Sequence, residues 1–251
     1  MKVAVLQTDI AFGETDRNLN QAMRMLTDNQ GADLYVLPEM FTTGFTMQPE
    51  KLADRQQLAL SWMKAQAGAL NAALCASVAV EDHAQFFNRL FFVTPDGQTT
   101  FYDKRHLFTY SGEDEAYTPG NQRQVVEWRG VRILLQVCYD LRFPVFSRNR
   151  KDYDMAVYVA NWPESRRRVW NILLQARAIE NQCYVVGANR VGDDPMCHYN
   201  GGSAVVSPYG KPLVACPDNE TAVAMAEINM EQLNAFRKKF PVLDDADAFS
   251  L

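Results

Sequence analysis

The chain has 251 residues, of which 47% are hydrophobic and 22% are charged, so it can bury a sizeable core within a single domain spanning 1–251. This composition excludes a disordered chain. The formal net charge of -5 and a single dense basic run, at 166–168, argue against nucleic acid as a partner, because phosphate binding needs clustered lysines and arginines.

The first half of the chain alternates apolar runs with amphipathic segments. In chain order the predicted elements are a strand over 2–7, a helix capped by Asp16, a strand over 33–39, a helix over 52–72, and strands over 73–80 and 88–97. Short apolar runs that end in turn residues are typical of buried strands, and apolar residues spaced three and four apart are typical of helices.

The second half repeats this pattern. Its predicted elements are a strand over 131–137, a helix near 144–151, a strand over 154–160, a long helix over 166–182, and strands over 183–188 and 203–210. Because strands and helices alternate along the chain, the pattern favours the α/β class.

Two pairs of segments resemble each other across the halves. The strand at 33–39 resembles the strand at 154–160, and segment 88–97 resembles segment 200–210, with offsets of about 110 to 120 residues. Any two buried strands followed by Pro-Gly turns could give this similarity by chance. A genuine repeat would predict two similar sheets packed face to face.

The cysteines and histidines give no sign of a structural cross-link. The five cysteines include no CxxC pair, and the three histidines are scattered, so neither disulfides nor a metal site is expected. The N-terminal segment lacks the cleavage pattern of a secretory signal, and no run approaches the roughly 18 apolar residues of a membrane span. We therefore expect a cytoplasmic protein with no membrane partner.

Reactive side chains follow three of the predicted strands, at the point where each strand ends. They are Glu39, Lys104 and Cys138. Loops at the ends of buried strands are where α/β folds assemble their sites. Glu39 follows an apolar strand and a proline, a dry setting that suits a general base near neutral pH. Lys104 lies among aromatic residues, where its ammonium could stabilise an oxyanion.

Each of these charged residues also has an ordinary structural interpretation. Glu39 could be a surface glutamate that opens a loop. Lys104 could be a lysine whose aliphatic stem covers apolar surface. His106 could act as a base for the thiol, but a histidine among apolar residues is more often a hydrogen-bonded structural group.

Cys138 ends a run of β-forming residues and begins a turn. A free cysteine is most often buried and inert. At the tip of a strand, however, a thiol can be reached by a base, and the turn offers the backbone N–H of Tyr139 to an oxyanion. The other cysteines lack this setting: two fall in apolar strand patterns (Cys75, Cys183) and two in loop-like stretches (Cys197, Cys216).

The three strand ends belong to motifs of a known superfamily. The chain contains, in order, LPEMFTTGF, YDKRHLF and CYDLRFP, which closely resemble the motifs of the nitrilase (carbon–nitrogen hydrolase) superfamily. The resemblance continues through NWP at 161–163, RAIEN at 177–181 and NGGS at 200–203, and thus covers essentially the whole chain.

This resemblance implies both a fold and a catalytic triad. The fold is a four-layer αββα sandwich, with two mixed sheets packed face to face and helices outside. The triad consists of Glu39, Lys104 and Cys138. Members usually form homodimers in which the second sheet-helix layer packs against its mate.

The motifs look most like those of the omega-amidase group, whose substrates are 2-oxo acids with a terminal amide. By this resemblance Glu113 is a supporting glutamate, although on its own it would be assigned to a solvated acidic face. Hydrolysis of small dicarboxylic mono-amides, such as 2-oxoglutaramate or 2-oxosuccinamate, would proceed through a cysteinyl thioester without a cofactor. The loop from Phe108 to Glu113 is shorter than in many omega-amidases, so the resemblance implies the reaction more closely than the substrate range.

A mono-amide of a dicarboxylic acid also needs its carboxylate held. Arg142, four residues past the nucleophile, is the candidate for a bidentate contact, and an ion pair with Asp140 or another carboxylate is the alternative role. Phe41, Tyr110 and Trp162 are candidate pocket residues, although ordinary core packing would explain them equally well.

Three other functions stay open on the sequence. One is another carbon–nitrogen hydrolase, acting on a short aliphatic amide or a carbamoyl substrate. The second is a Cys-His hydrolase that pairs Cys138 with His106 or His198. The third is a non-catalytic binding protein with the same fold.

Overall fold

The computed structural model describes residues 1–54, 56–248 and 250. The strands are β1 (Lys2–Gln7), β2 (Leu34–Val36), β3 (Ala73–Asp82), β4 (Gln85–Val93), β5 (Thr99–Asp103), β6 (Val125–Trp128), β7 (Val131–Val137), β8 (Met155–Ala160), β9 (Tyr184–Asn189), β10 (Val191–Asp193), β11 (His198–Asn200), β12 (Ala204–Val206), β13 (Pro212–Ala215) and β14 (Ala222–Glu227). The α-helices are α1 (Thr15–Asp28), α2 (Pro49–Leu52), α3 (Leu58–Leu70), α4 (Glu113–Ala116), α5 (Pro144–Ser147), α6 (Arg167–Glu180) and α7 (Met230–Lys239).

Two six-stranded mixed sheets form the centre of the fold. The first has the order β14-β1-β2-β3-β4-β5, and the second has the order β13-β12-β9-β8-β7-β6. Starting from β14 and from β6, the pairings follow the same series: antiparallel, parallel, parallel, antiparallel, antiparallel. In this series β2 corresponds to β8 and β4 to β12. These strands lie in the segments whose similarity suggested a repeat, so the two sheets repeat one arrangement of strands.

The two sheets pack face to face, and helices cover their outer faces. In β1, Val3 and Val5 face the second sheet, whereas Ala4 and Leu6 pack toward α1 and α3. On the second sheet, α6 covers the outer face through Trp170. Because the central strands are buried on both faces, they are nearly continuous apolar runs. The αββα arrangement confirms the expected fold class.

The predicted helix over 52–72 was wrong as a continuous helix. The chain forms α2 and α3 instead, and α3 begins only at Leu58. The Asp54 side chain explains the restart, because its two oxygens accept hydrogen bonds from the N–H groups of Leu58 and Ala59 at 2.9 and 2.8 Å. Such contacts satisfy donors that have no partner within the first turn of a helix.

Other predicted elements differ in length. The helix expected near 144–151 is the single turn α5, because Asn149 instead hydrogen-bonds the carbonyls of Tyr153 and Asn181. The strand expected over 33–39 is three residues long. The last strand, β14, and the helix α7 had no counterpart in the prediction. β14 pairs with β1 at the other end of the chain, a partner that local pattern cannot supply.

Candidate active site

The strand ends of both sheets bring the candidate residues together. Lys104 follows β5 directly, and Glu39 lies shortly after β2 in the same sheet. Cys138 follows β7 directly in the second sheet, and Asn161 follows β8. The first sheet therefore supplies the charged groups and the second sheet supplies the thiol.

Lys104 is an ammonium enclosed by two carboxylates. Its Nζ lies 3.0 Å from Glu39 Oε1, and 2.9 and 2.8 Å from the two carboxylate oxygens of Glu113. The side chains of all three residues are 0% exposed. The ring of Phe45 lies against the cation, with its centroid 5.3 Å from Nζ. The ammonium is thus shielded from solvent.

The two carboxylates keep Lys104 charged. Burial lowers the pKa of an ammonium, but here the charges of Glu113 and Glu39 outweigh burial and raise the pKa of Lys104 above its ordinary value. Burial raises the pKa of Glu113, and Lys104 opposes that rise. Lys104 is therefore a cation at neutral pH, suited to stabilising negative charge and unsuited to accepting a proton.

Two asparagines that were not predicted as site residues fix the Glu39 carboxylate. Asn88 Nδ2 donates to Glu39 Oε1 at 2.7 Å and to Glu113 Oε1 at 3.1 Å. The backbone N–H of Asn161 donates to Glu39 Oε2 at 2.8 Å. The signal for Asn88 was a polar residue within the apolar run of β4, because a buried polar group needs a partner.

Cys138 begins the 3₁₀ turn Cys138–Arg142 with a φ of 44°. A non-glycine residue in this left-handed region typically costs about 1 to 3 kcal/mol. Hydrogen bonds to the buried Asp140 carboxylate hold the turn: the Val137 N–H donates at 2.9 Å and the Tyr102 hydroxyl at 2.8 Å. The surrounding structure thus maintains a strained backbone at the thiol.

His106 belongs to this supporting network. Its Nδ1 lies 2.7 Å from Asp140 Oδ1, and its ring stacks on Phe143 with centroids 3.8 Å apart. His198 is exposed and paired with Asp193. Neither histidine lines the cavity at the thiol, so the geometry gives no basis for a Cys-His hydrolase.

The Cys138 thiol needs a base at neutral pH. Burial and the negative charge of Glu39 raise the pKa of Cys138 well above its ordinary value, and Lys104 opposes this rise. Glu39 and the thiol line the same cavity. A carboxylate next to a protonated thiol is suited to act as its base.

The remaining cysteines lie in other surroundings. Cys75 and Cys183 are fully buried, as expected, and burial raises the pKa of Cys183 to about 12. Cys216 lies in a loop directly after β13, as expected, and its side chain packs against the core between the sheets. Cys197 is half-buried and lines the same cavity as Cys138.

A cavity of about 680 Å³ opens over Cys138. Besides Glu39, Lys104 and Cys138, it is lined by Phe12, by Phe45, Thr46, Met47 and Gln48, by Phe108, Tyr110 and Ser111, by Tyr139 and Arg142, by Asn161, Trp162, Pro163 and Arg166, and by Asp194, Pro195, Met196, Cys197 and Tyr199. Its lining is mainly apolar and aromatic, with a few polar groups at the thiol, as in most sites for small molecules.

Four of the five residues predicted to hold the substrate lie in the cavity wall, and Phe41 does not. Tyr139, Arg142, Tyr110 and Trp162 line the cavity, with Tyr110 87% exposed at its rim. Phe41 is 2% exposed and packs in the outer core of the first sheet. We correct its assignment from pocket to core.

Arg142 is available to a ligand. Its guanidinium lies 5.0 Å from the ring centroid of Trp162. In the part of the chain that the structure describes, it has no carboxylate partner. Asp140, the ion-pair partner considered from the sequence, instead accepts hydrogen bonds from Tyr102 and His106.

Two negative findings apply to residues 1–54, 56–248 and 250. No group of three or more His, Cys, Asp or Glu side chains is arranged to hold a metal ion. No helix there combines the length and the apolar character that crossing a membrane requires.

A model of the family described as carbon-nitrogen hydrolase matches residues 2–238. The chain belongs to this family. The match includes the strand ends that supply Glu39, Lys104 and Cys138, so the resemblance stated from the three motifs is confirmed.

Full-length relatives are similar across the carbon-nitrogen hydrolase domain. The omega-amidase YafV of Escherichia coli (strain K12) is 46% identical over 252 residues, covering 100% of this chain and 98% of that protein. The 2-oxoglutaramate amidase of Bacillus subtilis (strain 168) is 34% identical over 250 residues, covering 97% and 96%. A solved structure from Xanthomonas campestris, a CN-hydrolase superfamily protein with an arsenic adduct in its active site, has a TM-score of 0.97 at 40% identity, covering 100% and 98%.

Proposed function

We propose that this protein is an omega-amidase, which hydrolyses the terminal amide of small dicarboxylic mono-amides such as 2-oxoglutaramate or 2-oxosuccinamate. The observation that carries the proposal is the buried Lys104 ammonium, held between Glu39 and Glu113 beside the Cys138 thiol. The similarity to an omega-amidase and to a 2-oxoglutaramate amidase supports the substrate class.

In the first half of the reaction, Cys138 attacks the amide. Glu39 accepts the thiol proton as the sulfur bonds to the amide carbon. The Lys104 ammonium and the backbone N–H of Tyr139 stabilise the oxyanion of the tetrahedral intermediate. Tyr139 suits this role because the first N–H groups of a helical turn have no partner within it. The C–N bond then breaks, Glu39 protonates the leaving nitrogen, and ammonia departs.

In the second half, water frees the acid. Glu39, now a carboxylate again, takes a proton from a water molecule that attacks the thioester carbon. The same two donors stabilise the second oxyanion, the C–S bond breaks, and the sulfur regains the proton from Glu39. In this proposal the Glu-Lys-Cys set completes the cycle without a metal or an organic cofactor.

We assign the substrate carboxylate to Arg142. Its guanidinium borders the cavity on the same turn as Cys138 and lies over the ring of Trp162. Because it has no carboxylate partner among the described residues, a bidentate contact with a ligand carboxylate would cost no existing ion pair. Tyr110 and Trp162 then enclose the aliphatic part of the substrate.

The test is ammonia release from a panel of amides. The panel holds mono-amides of dicarboxylic and 2-oxo acids, neutral aliphatic amides and carbamoyl compounds. We expect the highest kcat/KM for the 2-oxo mono-amides and no turnover by Cys138→Ser. Cys197→Ser is the matched control, because this second thiol lines the same cavity, and it should keep most activity.

Two outcomes would contradict the assignment. A preference for neutral or carbamoyl substrates would mean that the protein is a carbon–nitrogen hydrolase with another substrate specificity. No release from any amide would favour the non-catalytic binding protein. Intact-mass detection of an acyl adduct on wild type, absent in Cys138→Ser, is the accompanying check of the thioester.

We also propose a homodimer that forms through α6. Ile172 and Ile179 on this helix are 51% and 55% exposed. Gly210 lies against Ile179, and its chain neighbour Tyr209 is 62% exposed. Such grouped apolar exposure is typical of an interface. Light scattering of the wild type should give twice the mass of one chain, and Ile179→Asp should reduce the measured mass to that of one chain. The cytoplasmic location stays a prediction.

A further inference from the structure

The run of three arginines at 166–168 has three different environments in the fold. Arg167 is engaged: it hydrogen-bonds the Asn200 carbonyl at 3.2 Å and pairs with Asp218 at 2.8 Å. Arg168 is exposed and lies outside the cavity. Arg166 lines the cavity over Cys138. In the sequence this run resembles a solvated basic patch, but in the fold one of its members, Arg166, lies at the site.

Arg166 lies in the wall of the cavity. Its guanidinium is 5.2 Å from the ring centroid of Phe108. Cys197 lines the same cavity; burial raises the pKa of that thiol, and the charge of Arg166 opposes the rise. The indole N–H of Trp162 donates to the Arg166 carbonyl at 2.8 Å, which fixes the backbone that carries this side chain.

The charges lining the cavity leave two arginines without partners. Glu39 and Lys104 neutralise each other at the floor. Asp194 accepts hydrogen bonds from the Tyr199 hydroxyl at 2.6 Å and from two backbone N–H groups of its own hairpin, at 2.8 and 2.7 Å. Within residues 1–54, 56–248 and 250, neither Arg142 nor Arg166 is paired with a carboxylate.

We propose that Arg166 is a specificity-determining residue, which together with Arg142 forms a two-arginine clamp for the carboxylate end of the substrate. This inference rests on the proposed amidase function and deepens it: the preferred amides are those with a negative charge at the end remote from the scissile bond. Each guanidinium lies over an aromatic ring of the cavity lining, a contact that arginine favours and that limits the freedom its planar donors lose on binding.

The experiment compares a charged and a neutral substrate of the same skeleton. These are the mono-amide of a four-carbon dicarboxylic acid and the methyl ester of that mono-amide, both assayed by ammonia release. In Arg166→Gln, KM for the charged amide should rise about 10- to 100-fold, as losing a hydrogen bond to a charged group typically produces. KM for the ester and kcat for both should stay within about twofold of wild type.

Two further variants sharpen the result. Arg168→Gln removes the same charge two residues away, outside the cavity, and should change neither KM. Arg166→Lys keeps the charge but loses the planar fork, so KM for the charged amide should rise less than in Arg166→Gln. If Arg166→Gln lowers the melting temperature, Arg166→Lys becomes the deciding variant. An unchanged ratio of KM for the charged amide to KM for the ester in Arg166→Lys would then overturn the proposal.

Failure of the amidase proposal and failure of the clamp proposal would give different results. If wild type releases no ammonia from any amide, the amidase function fails. If wild type is active and Arg166→Gln alters both substrates equally, or neither, only the clamp fails. Added salt provides an independent readout: KM for the charged amide should rise with ionic strength and KM for the ester should not.

Discussion

Replacing Lys104 by methionine tests whether the buried charge cluster is both catalytic and structural. The substitution keeps the length and apolar stem of the side chain but removes the ammonium between Glu39 and Glu113. Two buried carboxylates would then face each other with Asn88 as the hydrogen-bond donor common to both. One of them must take up a proton, because like charges in a dry site cannot both ionise.

The size of the effect follows from the contacts. At separations of 3.0 and 2.8 Å, each ion pair has a gross attraction of about 5 to 6 kcal/mol at an effective dielectric constant of about 20. Desolvation of the ammonium offsets much of this attraction, and removing one member of a buried pair typically costs about 3 to 5 kcal/mol. For a chain of this size, that loss lowers the melting temperature by about 6 to 20 °C.

Two assays measure the two roles. Calorimetry should give the fall in melting temperature, and single-turnover kinetics should show a loss of at least about 10² in rate, as for removal of an oxyanion donor. The double variant Lys104→Met/Glu113→Gln should recover part of the stability, because one buried negative charge is gone, without recovering activity. Lys211→Met, at an exposed lysine, is the control and should change neither quantity.

A particular pattern would refute this reasoning. If Lys104→Met melts within about 2 °C of wild type, the cluster does not stabilise the fold. If Glu113→Gln adds to the destabilisation instead of reducing it, repulsion between the carboxylates is not the cause.

Two further predictions concern pH. Because Glu39 raises the pKa of Cys138, Glu39→Gln should shift the thiolate absorbance at 240 nm, measured against Cys138→Ser, to lower pH; an unchanged or higher midpoint would contradict this. Hydrogen bonds from Arg132 and Arg237 outweigh burial and lower the pKa of Asp154. Its stabilisation is therefore present above the ordinary pKa of about 3.9 and lost as pH falls through the folded value. Asp154→Asn should lower the free energy of unfolding by about 2 to 3 kcal/mol at pH 7. This value is below that of a fully buried pair because Arg132 is 39% exposed and solvent screens its charge. In thermal melts the difference from wild type should shrink below about pH 4, and a constant difference would contradict the prediction.

The sequence could predict the groups at the strand ends, because each depends on a local pattern. Glu39, Lys104 and Cys138 each follow an apolar run, and ends of neighbouring buried strands converge in space. The alternation of elements likewise predicted the α/β class. The motifs, and not the local pattern, distinguished Glu113 from its exposed neighbours Asp114 and Glu115.

What could not be predicted depends on contacts between distant segments. Asn88 becomes a site residue only because β4 pairs with β5, which leads to Lys104, and lies one strand away from β2, which leads to Glu39. Arg166 resembled surface charge, since nothing local separates it from Arg168. Phe41 was misplaced because the chain turns at Met40, with a φ of 43°, and leaves Phe41 against Trp62, with ring centroids 5.6 Å apart.

The division of the reactive groups between the two sheets ties turnover to the integrity of the whole sandwich. The proposed base and cation come from one half of the repeat and the proposed nucleophile from the other. A fragment containing either half, or a partly unfolded form in which the halves have separated, would contain reactive side chains but no working assembly. Ammonia release should therefore report the docking of the halves during refolding, and should return only after the secondary structure of each half has formed.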